Sequence, residues 1–83
     1  MTNEDIARRL RNHATELSRT GDNLYRVRAF RQAAMAVLTL PEPVERLDRS
    51  ALERVPGIGR SLAGTIEQFA RTGEWAPRRQ PAA

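Results

Sequence analysis

Leu52-Glu53-Arg54-Val55-Pro56-Gly57-Ile58-Gly59-Arg60-Ser61-Leu62-Ala63-Gly64-Thr65-Ile66 is the stretch whose reading decides the fold. Leu52 and Val55 place apolar side chains one turn apart, so a short helix, Ala51–Arg54, is predicted before the turn. Pro56-Gly57-Ile58-Gly59 is a turn signal with two glycines, both able to take positive φ. Leu62, Ala63, Ile66, Phe69 and Ala70 then recur at three- and four-residue steps and predict a helix from Arg60 to Thr72, stopped by Gly73. The turn feeds directly into a helix start, where free backbone N–H groups and the positive end of the helix dipole attract an anion. Arg60 and Ser61 sit on that first turn and can add side-chain donors. The turn by itself is equally compatible with a ligand-free junction between two packed helices.

The full spacing is more specific than a lone Gly-x-Gly. It resembles the helix-hairpin-helix motif, apolar-x-x-apolar-Pro-Gly-apolar-Gly-x-x-x-Ala-x-x-Ile. Leu52, Val55, Pro56, Gly57, Ile58, Gly59, Ala63 and Ile66 all fall on that pattern. The resemblance implies a domain that holds a DNA phosphate on backbone amides without reading bases. Arg54, Gly57, Ile58, Gly59, Arg60 and Ser61 are the residues it places at the DNA.

Outward from the hairpin, every periodic segment is helical, and the expected fold class is all-α: four main helices and one short turn. Thr2 is a plausible N-cap, with Glu4 and Asp5 complementing the dipole. Ile6, Ala7, Leu10, Ala14 and Leu17 give one apolar face to about Arg19, and Gly21 marks a stop. Asp22 or Asn23 caps a second helix with the stripe Leu24, Val27, Phe30, Ala34, Val37 and Leu38. The apolar run Ala33–Leu38 marks this as the most buried helix. Pro41 and Pro43 end it, and Val44 and Leu47 suggest a short helical turn. The expected core includes Leu10, Leu17, Val27, Phe30, Val37, Leu52, Val55, Ile66 and Phe69. Trp75 is in a position to fold back on that core. Residues 76–83 are expected to be disordered, so the domain spans 1–75.

The upstream segment Gly21-Asp22-Asn23-Leu24-Tyr25-Arg26-Val27-Arg28-Ala29-Phe30-Arg31-Gln32-Ala33-Ala34 carries a second resemblance. It is similar to the Gly-x-Asn-Pro-aromatic-Arg-x-Arg-Ala-aromatic-Arg-x-Ala-Ala segment in the N-terminal domain of family X DNA polymerases, the polymerase beta-like group. The likeness extends over about residues 3 to 75. It implies binding of gapped DNA on the 5′-phosphate side, in DNA repair. It also implies a basic phosphate-pocket residue at Arg26, an aromatic at Tyr25 that either stacks on an exposed base or belongs to the core, and a cation site. That site would hold Na+ or K+ on the backbone carbonyls of Glu53, Val55 and Ile58, with no other cofactor required. Three departures matter. The family's Schiff-base lysine corresponds to Thr65, and a neighbouring phosphate-binding lysine to Ser61. The family's tyrosine at Phe30 has lost its hydroxyl.

Composition bears on the same point. All fourteen basic residues are arginine and net charge is +4. With no lysine, only the amine of Met1 could form an imine, so 5′-deoxyribose-phosphate lyase activity is not expected. The three aspartates, Asp5, Asp22 and Asp48, are scattered and give no two-metal carboxylate cluster for nucleotidyl transfer. The chain is therefore expected to be no enzyme, with any catalysis left to a separate protein partner. There is no cysteine, and His13 alone cannot anchor a transition metal; it reads as a surface or boundary residue. No segment approaches the roughly 20 apolar residues of a membrane span. No signal-peptide pattern opens the chain, so a cytoplasmic location without membrane attachment is expected.

Charge placement gives a reading independent of any resemblance. Glu4/Arg8, Asp5/Arg9, Glu42/Arg46, Glu45/Arg49 and Glu67/Arg71 stand four apart and read as solvated helix pairs. Residues 23–40 hold Arg26, Arg28 and Arg31 and no acid; residues 54–66 hold Arg54 and Arg60 and no acid. Asp22 could pair with Arg26, but it reads first as a cap, which leaves Arg26 unpaired. Unpaired positive charge thus gathers in two segments. Arginine suits phosphate recognition, although a codon bias toward arginine would give the same count. A protein–protein docking domain is the alternative to DNA binding.

Overall fold

The computed structural model describes residues 1–77. Four helices and one 3-10 turn follow in order: α1 (Asn3–Arg19), α2 (Leu24–Thr39), the turn Val44–Arg46, α3 (Arg49–Glu53) and α4 (Arg60–Thr72). No strand occurs among the described residues, so the all-α expectation holds. The expectation of a disordered tail lies, from residue 78 onward, outside the described residues.

Local chemistry explains most boundaries. Thr2 and Asp5 form a reciprocal capping box at the start of α1. At its end Asp22 N–H reaches Leu17 O and Gly21 N–H reaches Ser18 O, with Gly21 at φ +74°. That pair of bonds is a Schellman closure. Asn23, not Asp22, caps α2, its side chain accepting from Tyr25 N–H at 2.7 Å. The short helix starts at Arg49 rather than Ala51, because Asp48 caps it by accepting from Ala51 N–H at 2.8 Å. Asn3 clips the loop before the 3-10 turn to α1. Its amide donates to Glu42 O at 3.0 Å and accepts from Val44 N–H at 2.9 Å.

α1 packs chiefly along α2, α3 lies on α4, and α4 also meets the 3-10 turn and α1. Ile6, Leu10, Val37, Val44, Leu52 and Ile66 are the largest fully buried side chains. Leu17, Val27 and Phe30 are buried with them, as expected. Val55, in the turn beyond α3, and Phe69, in the last turn of α4, pack on the core only partly buried. The reading of α2 needs a larger correction. Val27, Phe30, Ala34 and Val37 are buried, but Leu24 and Leu38 are 59% and 47% exposed, and Met35 in the apolar run is 67% exposed. α2 meets its neighbours on one side only, so its apolar residues at 24, 35 and 38 face outward.

Trp75 does fold back. Its ring packs edge-on against Phe69 at 5.3 Å and against His13 at 5.5 Å, with Phe30 behind. Arg9 lies 4.9 Å over the indole, a cation–π distance.

Candidate nucleic-acid interface

The hairpin is built around Gly57. Ile58 N–H donates to Val55 O at 3.0 Å, closing the turn. Gly57 sits at φ +95°, where an L side chain is strained. A Cβ there would lie 3.3 Å from Gln32 O and 3.4 Å from Ala36 Cβ. The turn is therefore pressed onto α2, one residue beyond Arg31 and one turn beyond Arg28. The two acid-free segments of the sequence meet at this contact.

Gly59 serves differently from the sequence expectation. Its φ is −81°, extended and open to any residue, and nothing approaches its Cβ position within 4 Å. It is the N-cap of α4, and its carbonyl accepts from Ala63 N–H at 2.9 Å. No side chain caps α4 and no acid stands in its first turn. By contrast, Thr2, Asn23 and Asp48 cap α1, α2 and α3. The leading amides of α4 are left for an outside acceptor, at the positive end of a 13-residue helix.

Of the residues singled out from sequence, Tyr25, Arg28, Arg31, Arg54, Gly57, Gly59, Arg60 and Ser61 are exposed. Tyr25 is 80% exposed, the most exposed of the large hydrophobic side chains. Ile58 departs from expectation: its side chain is buried, 4% exposed, and only its backbone is available. Arg26 departs as well. Because Asn23 takes the capping role, Asp22 is free to pair with Arg26 at 3.2 Å, and the arginine side chain is 19% exposed. Arg28, Arg31, Arg54 and Arg60 make no ion pair among the described residues.

The expected helix pairs are mostly absent too. Only Glu67–Arg71 forms as read, at 3.1 Å. Asp5 is engaged in the capping box and lies 3.9 Å from Arg8. Arg9 turns to Glu16, Glu45 takes the N-terminal ammonium of Met1 at 3.1 Å, and Arg49 pairs with Glu53. Glu42 and Glu45 fail to pair with Arg46 and Arg49 because no continuous helix joins them.

Thr65 is buried, and its hydroxyl donates to Ser61 O at 3.3 Å. Beside it a cleft of about 200 Å³ is lined by Arg49, Ser61, Gly64, Thr65, Glu67 and Gln68 among others. None of these offers an amine. Phe30 is buried against His13 at 4.6 Å, so it serves the core. His13 is a boundary residue with a 15% exposed side chain. Its aromatic partnership with Trp75 has no local sequence signal, the two residues being 62 apart. Among the described residues no group of three or more His, Asp or Glu could hold a metal ion. No helix among them is long and apolar enough to cross a membrane.

With this geometry in place, comparison with known proteins is decisive for the family. The sequence model for the helix-hairpin-helix domain matches residues 1–75. The chain belongs to that family. No curated protein matches it. Helix-hairpin-helix domains generally bind DNA without reading its sequence. In this helix-hairpin-helix chain the hairpin carries an uncapped helix start, an exposed arginine on it, and a glycine turn that brings a second arginine-bearing helix alongside.

Proposed function

We propose that this helix-hairpin-helix domain binds the DNA backbone without sequence specificity, through the hairpin and the arginine-bearing face of α2. The observation that carries the reading is the uncapped, acid-free start of α4, which Gly57 seats against α2. A phosphate oxygen bound there accepts from backbone amides, with Arg60 and Ser61 as further donors and Arg28, Arg31 and Arg54 around it. Arg26 contributes positive charge only in part, since Asp22 already holds it.

The preferred substrate is gapped DNA carrying a 5′-phosphate, as in repair. The resemblance to family X polymerase N-terminal domains supports this, and so does the outward aromatic face of Tyr25, which suits stacking on an unpaired base. A Na+ or K+ ion at the carbonyls of Glu53, Val55 and Ile58 is part of the same reading, carried by the resemblance to family X domains. Val55 O accepts one hydrogen bond, and a carbonyl has a second lone pair to offer. Such an ion would add a positive charge beside the phosphate. The domain binds and does not cleave: Thr65 and Ser61 are hydroxyls, and the Met1 ammonium is held by Glu45. Catalysis would come from a partner protein, in the cytoplasm.

Titration against single-stranded, duplex, nicked and 5′-phosphorylated gapped DNA tests the reading. Tightest binding to the phosphorylated gap is expected. Equal binding to all four, or none, would refute the gap assignment or the DNA assignment respectively.

A further inference from the structure

Around the two arginines offered to DNA, the outward face of α2 carries apolar side chains that backbone recognition does not explain. Leu24, Arg28, Arg31, Met35 and Leu38 follow at steps of four, three, four and three residues, the spacing of a helix-pairing seam. All five are exposed, and the three apolar members are among the few large hydrophobics left in solvent. DNA backbone offers them nothing apolar to cover. At one edge of the stripe, Gln32, Met35, Ala36, Thr39, Pro56 and Gly57 enclose a shallow depression of about 420 Å³, able to receive a side chain.

We propose that this face docks a partner helix whose own seam is apolar at both ends and acidic at its two central positions. Charge complementarity fixes that occupant. The stripe is apolar, Arg, Arg, apolar in outline, and no acid lies in residues 23–40 to neutralise it from within. A second copy of this chain fits poorly, because two-fold antiparallel pairing would set Arg31 against Arg31. Residues 76–83 of the chain fit no better: they contain two prolines, two arginines and no acid. An acidic amphipathic helix meets both parts of the surface, with carboxylates forming forked pairs to the guanidinium groups. The seam is short, so the complex is transient.

The docking face shares Arg28 and Arg31 with the proposed DNA surface and differs from it in Leu24, Met35 and Leu38, so the test with the full chain separates the two through the apolar residues. The probe is a capped, fluorescent helical peptide of about 20 residues, carrying Leu at the seam ends and Glu at the two central positions. Saturable binding is expected, weakened about tenfold when both Glu become Gln. Met35→Ser with Leu38→Ser, which adds no charge beside the arginines, should abolish it and reduce gapped-DNA affinity far less than Arg60→Ala does; both sites are exposed, and circular dichroism checks the fold. Arg28→Glu with Arg31→Glu should switch preference to a peptide with central Lys. Absence of saturable binding, or equal binding of the Gln peptide, overturns the proposal. So does a loss of DNA affinity in the Met35/Leu38 variant as large as that from Arg60→Ala, which would make the face part of the nucleic-acid site. A concentration-dependent dimer abolished by the same variant would assign the face to a second copy instead.

Discussion

The indole N–H of Trp75 meets Nδ1 of His13 at 3.5 Å, tying the end of the described chain to α1. With Nδ1 accepting, the neutral ring carries its proton on Nε2, which is buried without a partner. Burial lowers the pKa of His13, Arg9 and Arg26 push in the same direction, and Glu16 opposes them. A lowered folded pKa means the unfolded chain takes up its proton first. Stability is therefore full above the usual value of 6.5 and declines as pH falls through it, until the folded ring titrates. Melting temperatures followed from about pH 8 to about pH 5 should fall, with a change in Trp75 emission, and His13→Gln should flatten the response. A separate loss is expected as pH falls below 3.8, where the unfolded carboxyl takes up its proton while Asp5, held lower by its bonds to Thr2, does so only at lower pH.

Truncating the same cluster tests its weight. Trp75→Ala removes contacts to His13, Phe30 and Phe69. For a half-buried ring the expected cost is about 2 kcal/mol, below the range for a fully buried aromatic. A denaturant midpoint unchanged by the substitution would show that the clasp adds nothing.

Gly57 and Gly59 should separate stability from binding. Gly57→Ala combines φ +95° with a 3.3 Å approach to Gln32 O, and should cost about 1–3 kcal/mol. Gly59→Val meets open space at an extended φ, so its cost stays within about 1 kcal/mol. Its branched side chain nevertheless stands at the α4 start, where a phosphate would approach, and DNA affinity should fall. Chemical denaturation beside a DNA titration on each variant gives both readings.

Salt dependence reports phosphate contacts. Three to five of them give a log–log slope of roughly −3 to −4.5 on duplex DNA. Arg60→Ala should make the slope shallower by about one unit, whereas Arg8→Ala, on the far element α1, should leave it unchanged. Matching losses from both folded variants would move the DNA surface away from the hairpin.

Asp22→Asn offers the opposite sign. It removes the carboxylate that holds Arg26 at 3.2 Å and leaves the Asn23 cap in place. If Arg26 faces phosphate, affinity should rise about twofold to fivefold, the scale of one partly exposed ion pair. A fall in affinity would mean that Asp22 positions Arg26 rather than competing for it.

The amino-acid sequence alone determined the helices and the hairpin, because their causes are local. Thr2, the Pro56–Gly59 turn and the stop at Gly73 act within a few residues of where they stand, and so does the three-and-four spacing of Leu62, Ala63 and Ile66. Those signals were enough to place Arg60 and Ser61 on an uncapped helix start. What only the tertiary structure decided is which surfaces and partners those elements find. Periodicity shows that α2 is apolar on several sides, but the single-sided packing of a small domain decides that Leu24, Met35 and Leu38 stay in water. Asp22 goes to Arg26 because Asn23 wins the cap by a difference in backbone position that residue type does not encode. Gly57 rather than Gly59 takes the left-handed backbone, and only the folded chain sets α2 against it, 3.3 Å from where a Cβ would stand. Trp75 reaches His13 only after four helices have turned the chain back on itself, a contact across 62 positions that no local pattern records.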